Sequence, residues 1–154
     1  MKYLVDTDWV IHFLKGHKQT IDTLNFLYHD GFAISVITFS EIYEGIYYFE
    51  DEKREKLEND FKNFLKGVVI LDVDEDIGKK FSELRAKLRK EGNLIDNFDL
   101  LIASTAISHD LELLSNNVRH FQRIENLKLK SLDDFKEIIE PEPPKENGEL
   151  SPGE

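Results

Sequence analysis

Apolar and polar residues change their spacing along the chain several times, and each change marks the edge of an element. "KYLVD" (2–6) reads as a buried strand that ends on an acid, and "WVIHFLKG" (9–16) as a short helix stopped by Gly16. Ile21, Leu24, Leu27 and Tyr28 recur at helical spacing within 20–31, where Gly31 is the stop, and "FAISVI" (32–37) follows as a second strand. Segment 38–49 reads as a helix in which Thr38 and Glu41 fit the S/T-x-x-E spacing of a capping box. Segment 51–67 is amphipathic, with Leu57, Phe61, Phe64 and Leu65 on one helical face. "VVILDV" (68–73) is a third strand, and 74–92 a helix with acids at its start and bases at its end, which suits the macrodipole. The mostly apolar 97–110 predicts a buried helix, "LELLS" (111–115) a fourth strand, and "NVRHFQRI" a turn or short helix. "LKLKSL" (127–132) predicts a fifth strand and "DDFKEIIE" a short closing helix.

Strands that alternate with helices predict an α/β domain with a mainly parallel central sheet joined by right-handed crossovers. In such sheets ligands bind beyond the carboxyl ends of the strands, which puts Asp6 and Asp8 at the functional edge by topology alone. The expected domain is 1–139. From 140 to 154 the chain is rich in Pro, Gly and Glu with almost no apolar residue, and is expected to be a disordered tail.

Composition narrows the chemistry. The 154 residues are 40% hydrophobic and 33% charged, as in a soluble globular domain, and contain no cysteine, which excludes disulfides, thiolate metal sites and cysteine nucleophiles. No apolar segment approaches the ~18 residues of a membrane span, so a cytoplasmic protein is expected. The formal net charge is −11, and the segment 140–154 holds five acids against one lysine. Such a surface repels nucleic acid unless a local basic patch or a bound cation intervenes.

Four residues follow strands or open helices and can meet at one sheet edge: Asp6, Glu41, Asp99 and Asn117. Each has an ordinary explanation. Asp6 can cap the first helix, Glu41 can pair with Thr38 in the capping box, Asp99 can face a helix N-terminus, and Asn117 can belong to a turn. Jointly they suit a hard divalent cation, which takes oxygen ligands and lets clustered carboxylates stay ionised.

Taken in order, "YLVDTDWVIHFLKG", "AISVITFSEIYEG", "NFDLLIASTA" and "LLSNNVRHFQRIENLKL" resemble the PIN-domain ribonucleases, and among them the VapC-type toxins of toxin–antitoxin pairs. The resemblance runs from Tyr3 to about Phe135. It implies an α/β/α sandwich with a five-stranded sheet, an acidic pocket for Mg²⁺ or Mn²⁺, and endonucleolytic cleavage of single-stranded RNA that leaves a 5′-phosphate and a 3′-hydroxyl. Asp6, Glu41 and Asp99 match the family's three acids, as metal ligands. Asn117 stands where many relatives carry Asp, and would orient a ligand or the attacking water. Thr7 and Ser115 match supporting polar positions. His120 occupies a place where Asp is common and reads as a surface turn residue; Asp8 and Asp96 read as outer-shell or capping acids. The basic stretch Arg85, Lys87, Arg89, Lys90 is the candidate RNA contact. The resemblance also implies a homodimer and a small cognate antitoxin. Two alternatives stay open. "VDTDWV" fits the D-x-D-x-[TV] pattern of haloacid-dehalogenase-like phosphatases with Asp6 as nucleophile, and an inactive PIN-like scaffold would need no catalysis at all.

Overall fold

A computed structural model describes residues 1–141. Five short strands form one sheet: β1 (Tyr3–Val5), β2 (Phe32–Ser35), β3 (Val68–Leu71), β4 (Glu112–Leu114) and β5 (Leu129–Lys130). Their order is β3-β2-β1-β4-β5 and every pairing is parallel. The α/β expectation holds, and the sheet is parallel throughout. Residues 142–154, on which most of the expected tail falls, lie outside the described residues.

The helices are α1 (Thr7–Leu14), α2 (Lys18–Leu27), α3 (Val36–Tyr48), α4 (Asp51–Phe64), α5 (Glu75–Lys90), α6 (Asn97–Ser108), α7 (Val118–Phe121) and α8 (Lys136–Ile139). Alternating strand residues feed two separate cores, as the period of two in a pleated strand requires. Tyr3 and Val5 point to a layer built on Trp9, Leu24, Leu27 and Phe61. Leu4 points the other way, to Leu84, Leu88, Leu100, Ile102 and Phe121. A sheet covered on both faces is what an all-parallel arrangement needs. Helix α6 is buried for most of its length, as its composition predicts.

Several element edges differ from the sequence reading. The first helix begins at Thr7, directly after Asp6, rather than at residue 9. The helix of 20–31 ends at Leu27, and a 3-10 turn over Tyr28–Asp30 leads into Gly31 at φ +81°. A Cβ on Gly31 would stand 3.0 Å from the Met1 backbone, so glycine is required there both by conformation and by space. The second strand stops at Ser35, the third at Leu71, and the fifth spans only Leu129–Lys130.

Register decides what lies at the carboxyl edge. Val5 pairs with Leu114, so the next residues, Asp6 and Ser115, emerge side by side. The Asp6 amide still donates to the Leu114 carbonyl at 2.9 Å, which carries the alignment one residue beyond the strands. Ser35 ends β2 and launches α3, which brings Glu41 to the same edge one turn into the helix.

Candidate active site

Asp6 occupies the N-cap position of α1, yet its side chain caps nothing. Its Oδ2 instead accepts a hydrogen bond from the Ser115 hydroxyl at 2.7 Å. Only 4% of Asp6 is exposed. Burial, then the adjacent charge of Asp8, drives its carboxyl up to about 8, and the hydrogen bonds from Ser115 and the Thr7 backbone offset only part of that rise. At neutral pH this group therefore holds a proton unless positive charge arrives. The Ser115 hydroxyl also accepts from the Asn117 amide at 3.0 Å, so one oxygen fixes both Asp6 and the loop after β4.

The expected capping box of Thr38 and Glu41 does not form. Ser35 caps α3, its hydroxyl accepting from the Ile37 amide at 3.1 Å, because the cap lies three residues earlier than the Thr38 signature suggests. Thr38 is consequently buried inside the first turn, and Glu41 is released for other work. The Thr7 hydroxyl lies 2.8 Å from Glu41 Oε1 and 3.0 Å from the Thr38 hydroxyl. A hydroxyl has one proton to give, so Thr7 donates to the carboxylate and accepts from Thr38. This two-step relay pins Glu41 toward α1.

Asp99 is the third residue of α6. Asp96 is the cap, with Oδ1 accepting from the Phe98 amide at 2.9 Å and from the Asp99 amide at 3.4 Å. Its own helix start being satisfied, Asp99 turns its carboxyl to the sheet edge, half-buried. Burial first, then the charges of Asp96 and Glu41, raise it to about 6, while His120 pulls it back down. The Asn117 side-chain nitrogen lies 3.4 Å from Asp99 Oδ2 and 3.1 Å from His120 Nδ1. His120, read from the sequence as a bland turn residue, thus borders Asp99 through Asn117.

Asp8 acts as a strut. Its two carboxylate oxygens accept from the Trp9 amide at 2.8 Å and the Asn116 amide at 2.9 Å. Asn116 Oδ1 in turn accepts from the Trp9 indole at 3.2 Å and the Leu132 amide at 3.1 Å. Asp96 holds the capping place expected of it, and Asp8 ties the start of α1 to the loop after β4. Thr38 and Asn116 were not singled out from sequence. Thr38 was masked by its apparent cap role, and Asn116 by its twin in "NN".

Of the basic stretch, Arg85 alone reaches the neighbourhood of Asp99, donating from Nε to Asn97 Oδ1 at 3.2 Å. Lys87 turns to Glu125 in a short ion pair. Arg89 and Lys90 lie exposed beyond it on the same helix.

Among the described residues, no three His, Cys, Asp or Glu side chains stand as a ready-made metal cage. Asp6, Glu41 and Asp99 are instead held by single hydrogen bonds from Ser115, Thr7 and Asn117. Their charges reach each other, since Asp99 raises the Asp6 carboxyl and Glu41 raises that of Asp99. Among the described residues none of the three pairs with a lysine or arginine. An oxygen-only donor set with no cationic side chain paired to it, and carboxyls that a positive charge would ionise, fits a hard divalent cation.

The PIN domain family model matches residues 3–127. The chain belongs to the PIN-domain family. Its relatives include Ribonuclease VapC1 of Methanocaldococcus jannaschii, 38% identical over 132 residues that make up 86% of this chain and 88% of that one. Ribonuclease VapC2 of Rickettsia felis is 33% identical over 86% of this chain and 99% of its own. The crystal structure of VapBC2 from Rickettsia felis, bound to a DNA fragment from its promoter, superposes with a TM-score of 0.78 at 32% identity, over 85% of this chain and 98% of that one. Asp6, Glu41 and Asp99 all lie within the matched residues. The phosphatase reading of "VDTDWV" gives way to this match, which spans all the motifs rather than the first alone. Among the described residues no helix is long and apolar enough to cross a membrane.

Proposed function

We propose that this PIN-domain protein is a divalent-metal-dependent endoribonuclease of the VapC type, the toxin of a toxin–antitoxin pair. What supports the reading is the PIN-domain match together with the charge effects of Asp99 on Asp6 and of Glu41 on Asp99, with no lysine or arginine paired to any of the three among the described residues. The VapC names of its relatives supply the substrate class, RNA.

Asp6 and Asp99 would hold Mg²⁺ or Mn²⁺ through their carboxylates, with Glu41 beside them. Bound there, the ion would supply Lewis-acid activation of a water and neutralise phosphate charge. The residues of the chain do the rest. Ser115 keeps one Asp6 oxygen engaged and so aims the other into the pocket. Thr7 fixes the orientation of Glu41 by donating to Oε1. Asn117 donates through its nitrogen to Asp99 and His120, which leaves its carbonyl oxygen to orient a water. In-line attack on the phosphodiester breaks the bond to the 3′ oxygen, giving a 5′-phosphate and a 3′-hydroxyl.

A VapB-like antitoxin would cover this pocket, and the active unit would be a homodimer. The decisive experiment incubates the purified protein with a cellular RNA pool and Mn²⁺, with and without EDTA, and maps the new ends. Cleavage that EDTA abolishes, with 5′-phosphate ends, is the expected result. RNA left intact with Mn²⁺ present would favour the scaffold reading instead.

A further inference from the structure

Helix α6 is the most thoroughly buried helix of the second core, yet its second residue, Phe98, is 51% exposed. It sits immediately before Asp99. An exposed aromatic ring at such a place contributes nothing to the core, since Leu100, Ile102, Ala103 and Ala106 already fill it. Its backbone is nevertheless fixed: the Phe98 amide donates to Asp96 in the helix cap at 2.9 Å. The ring therefore stands on an ordered turn rather than on a loose loop.

Two arginines reach the segment that opens α6, in a chain whose net charge is −11. Arg85 contacts Asn97, the residue before Phe98. Arg123 donates to the carbonyl of Leu94, itself 44% exposed, in the linker leading to α6. His120 flanks Asp99 from the other side through Asn117. Among the described residues every ion pair is made by a lysine, so these guanidinium groups carry charge that no carboxylate engages. An exposed aromatic face, with two arginines free of carboxylates held at the adjoining Asn97 and Leu94, complements a strand that offers unstacked bases and phosphates. A basic apolar patch for an acidic protein would not require the ring to adjoin the reacting carboxylate.

We propose that Phe98 is a base-stacking platform for the nucleotide next to the cleaved phosphate of a single-stranded RNA, with Arg85 and Arg123 holding the flanking phosphates. This rests on the endoribonuclease reading and adds to it how the strand is gripped. Stacking is selective for unpaired bases and tolerant of their identity, so cleavage requires an open strand beside the cut.

The test compares wild type, Phe98→Leu and Phe98→Trp on a short single-stranded RNA and on the same sequence annealed into a duplex. Phe98→Leu keeps an apolar side chain but no aromatic face, and is expected to raise KM about tenfold with much less change in kcat. Phe98→Trp should retain the wild-type KM, and its indole emission should be quenched by the single strand and not by the duplex. Trp9, the one native tryptophan, is fully buried and provides a steady background. An unchanged KM in Phe98→Leu overturns the proposal, as does a fall confined to kcat. A changed sedimentation coefficient with unaltered RNA affinity assigns the patch to a protein interface and overturns it too. If the wild type itself cleaves no RNA, it is the endoribonuclease reading that fails.

Discussion

The two halves of the acidic edge are built differently. On the side of β1 and α3, Asp6, Ser115, Thr7, Thr38 and Glu41 are joined by hydrogen bonds of 2.7 to 3.0 Å, and all but Thr7 and Glu41 are buried. On the side of α6 and α7, Asp99, Asn117 and His120 are half or fully exposed and linked by longer contacts of 3.1 and 3.4 Å. The first half is a preset scaffold whose carboxyl is strongly disfavoured in its charged form; the second meets solvent. A site that must recruit a cation and then admit a polymer benefits from this division, with rigidity beneath the metal and exposure where the strand enters.

Substitutions sort along the same division. The largest effect is expected from Asp6→Asn, which should reduce metal-dependent RNA cleavage to background while circular dichroism and melting stay native. Asn is nearly isosteric with the protonated acid, so the fold loses little. Asp99→Asn should do the same to cleavage. Activity surviving in either variant would remove that residue from the site.

Stability against pH distinguishes the halves next. The Asp6 carboxyl is raised by burial from 3.8 to about 8, so between those values the folded chain binds a proton that the unfolded chain has released. Stability must therefore fall as pH rises across that window. Metal-free wild type should melt progressively lower from pH 5 to pH 8. Asp6→Asn should flatten that slope, and Mn²⁺ should oppose it by stabilising the ionised acid. A wild-type melting temperature that climbs over the same range would show that Asp6 is not the buried neutral group described.

Smaller effects separate support from chemistry. Ser115→Ala removes the donor to Asp6 and the acceptor for the Asn117 amide, and should lower activity about 10- to 100-fold. His120→Ala touches only the exposed half and should cost severalfold at most. Lys87→Ala, which breaks an exposed pair with Glu125, should leave the melting temperature unchanged. Steady-state cleavage and thermal melts check all three, and a His120→Ala loss as large as that of Ser115→Ala would erase the distinction between the halves.

Much of this arrangement was legible in the sequence because the signals were periodic and local. The apolar runs before Asp6, Thr38 and Asn117 gave strands, and a parallel sheet then sent their successors to one edge. What stayed hidden depended on offsets of one or two residues. Thr38 and Glu41 match a capping box in spacing, but Ser35 lies nearer the strand end and takes the cap, which no spacing rule resolves. Asp6 looks like a helix cap and stands in the cap position, but the Val5–Leu114 register offers it Ser115 instead. His120 was passed over because nothing local reveals a contact with Asp99 that runs through Asn117. Register and long-range contact, rather than propensity, decided each of these.

Titration calorimetry of Mn²⁺ into the metal-free protein probes the claim at its root. The wild type should take up about one ion per chain, and Asp6→Asn, Glu41→Gln and Asp99→Asn should each weaken that uptake at least severalfold while remaining folded. Heat of binding that is absent from the wild type, or identical in all four proteins, would mean that these three acids do not gather around a metal.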